Sequence, residues 1–175
     1  IPAGLSQACF SLMMFTDRYL LTPLGKEAPA ASMIAGFTAY ILIIFFCGLL
    51  SYITPLTGQY LGAKKKKSIG SLANQGFLIA LLVYPIILLV GPSFASFYFD
   101  LAGIHEPQRQ LGMVYFSVIN CSALFTLICV VLSGFFTGIG KTYVVLTVNT
   151  LGMLINIPLS YYFIQYGLFG HWSGV

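Results

Sequence analysis

Asp17 and Arg18 stand side by side in a segment that is otherwise apolar almost continuously from Ile1 to Leu21. An acid at the centre of a bilayer helix costs about 2.5–3.5 kcal/mol on insertion scales, so it normally faces protein or a wet cavity. Adjacent helical residues point about 100° apart and pair poorly. Arg18 is therefore expected to reach outward along its apolar stem while Asp17 turns inward. A carboxylate held this way can exchange a proton or Na⁺ for another cation. The alternative is an interfacial pair near the helix end. A second polar group lies in TVNTLGMLINIPLSYYFIQYG, residues 147–167. Asn149, Asn156 and Ser160 are spaced by seven and four and share one helical face with Met153. Asn and Ser oxygens are hard ligands, which makes Asp17 and Asn156 candidate Na⁺ ligands and Ser160 a candidate partner in coupling. Pro158 removes a backbone donor and displaces the Leu154 carbonyl four residues earlier. Broken transporter helices expose carbonyls to a cavity in the same way. The competing role for these amides and hydroxyls is interhelical bonding, worth about 0.6 kcal/mol each.

Other polar residues carry weaker signals. Asn74, Gln75, Ser117 and Thr126 read mainly as packing contacts, while Gln59, Asn120, Asn149 and Met153 are candidates to line a cavity. Cys9, Cys47, Cys121 and Cys129 fall in apolar segments without metal-ligand spacing and read as small hydrophobes. His105 and His171 lie in predicted loops, and no HExxH or GxSxG pattern occurs. The chain is thus not expected to be an enzyme or to carry a cofactor beyond a coupling ion.

The elements that must position these groups follow from composition. Of 175 residues, 58% are hydrophobic and 7% charged, against roughly 25% charged in soluble domains. The mean hydropathy is +0.92. These values define a membrane protein, all-α and polytopic, whose first partner is the lipid bilayer. Nucleic-acid binding is disfavoured because the net charge of +4 comes mostly from one run, Lys64 to Lys67. Five transmembrane helices are predicted, with the start of a sixth. They cover the N-terminus to about 21, 29–62, 68–90, 107–139 and 141–166, each with the ~20 apolar residues a crossing needs. Pro29 and Pro107 suit first helical turns. Between the third and fourth helices, PSFASFYFDLAG reads as a short interfacial helix.

Alternating passes put Lys64–Lys67 and Lys141 on one side, and Lys26, Glu27, Asp100, His105, Glu106 and Arg109 on the other. The positive-inside bias makes the lysine side cytoplasmic in an inner (plasma) membrane protein and places Asp17 in the outward half of its helix. The chain opens without Met inside an apolar segment and closes on GLFGHWSGV, where another helix could begin. It is therefore expected to be one incomplete lobe, residues 1–175, of a longer protein.

Four segments in order resemble the N-terminal half of the multidrug and toxic compound extrusion (MATE) transporters. FTDRYLLTPLGKEAPAASMIAG is similar to that family's first helix, glycine turn and Ala-rich second helix. TPLTGQYLGAKKKKSIG resembles the end of its second helix and basic loop, SGFFTGIGKT its turn between helices four and five, and LINIPLSYYFIQYGLFG the end of helix five. The resemblance implies one six-helix lobe of a two-lobe protein, with a cavity between lobes and the second lobe absent from this chain. It implies a secondary active antiporter that exports organic, often cationic, compounds in exchange for H⁺ or Na⁺. Asp17 and Asn156 fall where the family's first-helix acid and fifth-helix Asn form a cation site. Ser160 departs from the Asp or Asn of many relatives, which removes one charge from a two-carboxylate relay. Arg18 replaces a small polar residue of many relatives. The alternatives are a lipid-linked oligosaccharide flippase of the same wider superfamily, or a structural membrane subunit.

Overall fold

The computed structural model describes residues 2–21, 27–104, 106 and 108–166. Those residues form six helices: α1 (Pro2–Leu21), α2 (Glu27–Ser51), α3 (Ile53–Gly62), α4 (Lys66–Leu101), α5 (Gln108–Gly138) and α6 (Thr142–Tyr166). No strand occurs among them. Four segments are long and apolar enough to cross a membrane: Ala30–Gly62, Lys67–Leu101, Gln108–Gly138 and Thr142–Tyr162. The fifth expected span, α1, has 20 residues, about 30 Å of rise. The expected start of a sixth helix, residues 167–175, lies outside the described residues, as do His105, Pro107, Lys26 and His171. The chain divides into two compact units, one of α1 with α6 and the other covering Ala30–Lys141.

In the larger unit α5 is the central element. Its buried residues Gly112, Phe116, Asn120, Ala123, Leu127, Val131 and Gly134 recur every three or four positions, the stripe a helix needs to pack along its whole length. Lipid tails are as apolar as these side chains, so close backbone approach and van der Waals contact hold the helices together. Small residues supply that approach: Ala31, Ala35 and Ala39 on α2 and Ala80 and Ala95 on α4 are essentially inaccessible. Two glycines show how tight it is. A Cβ at Gly138 would lie 2.5 Å from Thr57 Cβ and 2.7 Å from the Thr54 carbonyl, and one at Gly91 would lie 2.6 Å from Asn120 Nδ2.

Two expectations are corrected. Residues 92–103 do not form a separate interfacial helix, because α4 continues through Pro85 and Pro92 to Leu101. Gly91–Pro92 reads locally as a stop, but Ala95 and Phe99 remain buried, and the Phe99 ring lies against Gly112 of α5. Tertiary contact on the far side of the proline holds the helix together. The second predicted helix is instead interrupted at Tyr52, which divides it into α2 and α3. Pro55 cannot donate to the Ser51 carbonyl, and the ladder shifts locally to a tighter bond from Tyr52 N–H to the Leu49 carbonyl, 3.3 Å.

Candidate functional site

The α1–α6 unit carries the principal sequence candidates. Cys9 Sγ of α1 and Thr150 Oγ1 of α6 lie 3.7 Å apart. The Thr150 hydroxyl donates its hydrogen to the Leu146 carbonyl at 2.8 Å, so the thiol is the donor in the interhelical contact. As the first and fifth passes expected from the sequence, α1 and α6 run the same way. Asp17 follows Cys9 by eight residues, about 12 Å of rise, and Pro158 follows Thr150 by the same number. That register carries position 17 to the level of Pro158, between Asn156 and Ser160. The side chains of Asp17 and Arg18 themselves lie outside the described residues.

On α6, Asn149, Met153, Asn156 and Ser160 fall within an arc of about 60°, centred about 90° around the helix from Thr150. Asn149 is exposed, whereas Met153, Asn156 and Ser160 are half-buried. Ser160 is engaged in an interaction. Asn156 Oδ1 is shut off from solvent without a hydrogen-bond partner. Two residues before it, the Leu154 carbonyl loses its usual donor because Pro158 lies inside the helix. An unpaired buried acceptor costs about 1–3 kcal/mol. The α6 stripe therefore holds a dry oxygen near the level of position 17 on α1. Oxygen donors of this kind fit a hard cation or an incoming donor group.

The larger unit holds an open groove of about 340 Å³, lined by Ser51, Thr54, Thr126, Cys129, Val130, Ser133, Gly134 and Thr137. It lies at the break between α2 and α3 and along the second half of α5. This volume is at the low end for small-molecule sites, roughly 300–1,000 Å³. Its hydroxyls give hydrogen-bonding capacity without charge. Ser51 spends its hydrogen on the Gly48 carbonyl, 2.7 Å away. Sequence reading missed Ser51, Thr54, Ser133 and Thr137 as a group and took Thr126 as packing. A signal was present: Thr126, Ser133 and Thr137 repeat the seven-and-four spacing of Asn149, Asn156 and Ser160.

Gln59 is exposed on α3. Asn120 sits in the α4–α5 contact, 4% exposed, with Nδ2 donating to the Ile87 carbonyl at 3.4 Å and Oδ1 unpartnered. One turn along, the Tyr84 hydroxyl donates to the Cys121 carbonyl at 2.9 Å. Arg109 and Asp100 form an ion pair at the opposite end of α4 from the lysine run. Among the described residues no three His, Cys, Asp or Glu side chains gather as a metal cluster.

Long apolar spans joined by short turns define an all-α, multi-pass membrane bundle. The chain belongs to the MatE family, whose profile matches residues 2–162. It is 27% identical to the probable multidrug resistance protein NorM of Bacillus subtilis over 173 residues, covering 97% of this chain and 37% of that protein. It is 29% identical to the multidrug resistance protein MdtK of Edwardsiella ictaluri over 170 residues, with the same coverages. Identity to the MdtK of Photorhabdus laumondii is 33% over 173 residues, again 97% and 37% of the two chains. The chain thus spans little more than a third of the length of these relatives. No solved structure matches it.

Proposed function

We propose that this chain is the N-terminal lobe of a secondary antiporter that exports organic, cationic compounds in exchange for H⁺ or Na⁺. Family membership and the names of the relatives support drug efflux over the export of a lipid-linked oligosaccharide. The observation that supports the coupling step is Asn156 Oδ1, a buried acceptor without a partner, on the helix that meets α1 through Thr150 and Cys9. The Asp17 carboxylate and this oxygen together take the coupling ion. Occupied, the acid is neutralised and the lobe tolerates a drier cavity; emptied, it draws in water or a cationic substrate. Competition between ion and substrate for one group ties export to ion entry. Moving one charge through 100 mV supplies about 2.3 kcal/mol, roughly a 50-fold bias. A second lobe completes the cavity, because alternating access rocks two bundles around a site between them.

The test is efflux of a cationic dye from cells expressing the complete gene product. Asp17→Asn is expected to accumulate to normal levels, since an amide is easier to bury than a carboxylate, and to lose ion-driven efflux. Arg18→Ala is expected to retain most of it. Normal pumping by Asp17→Asn would place the coupling site elsewhere.

A further inference from the structure

Three helix-ending turns in this chain share one wiring. At the end of α4, Gly103 N–H donates to the Asp100 carbonyl and Ile104 N–H to that of Phe99. At the end of α5, Gly140 N–H donates to Thr137 and Lys141 N–H to Phe136; at the end of α3, Lys64 N–H donates to Leu61 and Lys65 N–H to Tyr60. Each turn places one residue in the left-handed region: Gly103 at φ 65°, Gly140 at φ 80° and Lys64 at φ 58°. Glycine is the usual occupant because a Cβ strains this conformation. Two of the three turns follow that rule, and the third holds a lysine, although Gly62 stands only two residues earlier. Lysine has no compensating local hydrogen bond of the kind that Asn or Asp can make there. What the residue at 64 adds is its charge.

That charge belongs to a larger asymmetry. Gly58 of α3 packs against the Gly138 carbonyl of α5, so the turns after α3 and α5 lie at one end of the larger unit. Within Ala30–Lys141 this end carries Lys64, Lys65, Lys66, Lys67 and Lys141 and no acid. The other end carries Asp100, Glu106 and Arg109, of which Asp100 and Arg109 are paired. Lys64, Lys65, Lys67 and Lys141 are exposed, and so is Tyr143, just past the second turn. Flexible ammonium groups at the ends of bilayer-crossing helices lie at the depth of lipid headgroups.

We propose that the Lys64–Lys67 turn and Lys141 form a binding surface for the phosphates of anionic phospholipids, with Lys64 held in a strained backbone position for that contact. The attraction is electrostatic and additive, about fivefold in relative association for each basic residue near the surface, and is screened by salt. Lys64 deepens the surface by adding a charge at the apex of its turn, the position that Gly103 and Gly140 hold in the other two.

The experiment uses the full chain purified in a neutral detergent and titrated with mixed micelles of phosphatidylglycerol or phosphatidylcholine. Lipid retained per chain after gel filtration and the midpoint of thermal unfolding are both read. Phosphatidylglycerol is expected to be retained at least tenfold over phosphatidylcholine, with retention falling about fivefold for each Lys→Gln change at 64, 65, 67 or 141. Lys64→Gly separates the charge from the fold. It is expected to raise the unfolding midpoint by about 2–4 °C by relieving the strain, while lowering phosphatidylglycerol retention. Unchanged retention in Lys64→Gly or in the quadruple Gln variant overturns the proposal. So does displacement of the lipid by millimolar inorganic phosphate, which indicates a free-anion site, or binding of a soluble RNA in preference to the lipid.

Discussion

Replacing Asn156 with Leu separates stability from ion binding. Leu is close to Asn in branching but has no polar atoms. Asn156 Oδ1 is inaccessible and without a partner, so the ion-free protein bears a desolvation penalty of about 1–3 kcal/mol at this oxygen. Removing it is expected to stabilise the ion-free form by up to that amount, less any strain from the larger side chain. The coupling ion acts in the opposite sense. A ligand present at 100 times its dissociation constant stabilises the native state by about 2.7 kcal/mol, and most of this is lost when a ligating oxygen is removed. The two curves are therefore expected to cross: Asn156→Leu more stable than the parent in choline buffer, and equal or less stable in saturating Na⁺. The assay is loss of helical circular dichroism on titration with a denaturing detergent, repeated in choline, in Na⁺ and at lowered pH. A shift produced by low pH instead of Na⁺ assigns the proton as the occupant. A variant less stable than the parent in choline would show that Oδ1 makes a structural bond, and the same Na⁺ shift in both proteins would put the ion elsewhere. Either result refutes the reasoning.

Three further outcomes are expected. Gly91→Ala drives a Cβ to 2.6–2.9 Å from the Asn120 amide and should destabilise by about 1–3 kcal/mol; in the double variant with Asn120→Ala most of that loss should return, and strict additivity of the two unfolding energies would contradict the packing. Gly138→Val meets Thr57 Cβ and the Thr54 backbone, neither of which can rotate away, so it should cost at least as much as Gly91→Ala in the same unfolding assay. A cysteine at position 65 should react with an impermeant maleimide only after cells are opened, as a cytoplasmic lysine turn requires; labelling of intact cells would reverse the topology.

Much of the architecture was legible because it depends on local rules. Run length and the rarity of charge mark helical spans, since a bilayer leaves the backbone no other way to satisfy its polar groups along an open chain. The seven-and-four spacing of Asn149, Asn156 and Ser160 placed three residues and Met153 on one face, which is a property of helix geometry alone. The lysine asymmetry needed no fold at all. Tertiary structure decided what periodicity cannot carry. Gly91–Pro92 looks like an end, and α4 passes through it because Ala95 and Phe99 are buried beyond it. The break at Tyr52 has a local cause in Pro55, but the groove beside it depends on how Thr54 of α3 meets Gly134 of α5. Asn120 and Asn156 are the same residue type in similar apolar runs and each keeps an unpartnered buried oxygen, yet Asn120 wedges against Gly91 with its amide on the Ile87 carbonyl, while Asn156 lies on the polar stripe of α6. The left-handed backbone at Lys64 is likewise absent from any local signal, because lysine does not favour it. A side chain's type is written in the sequence; whether its polar atoms find partners depends on which helix packs against them.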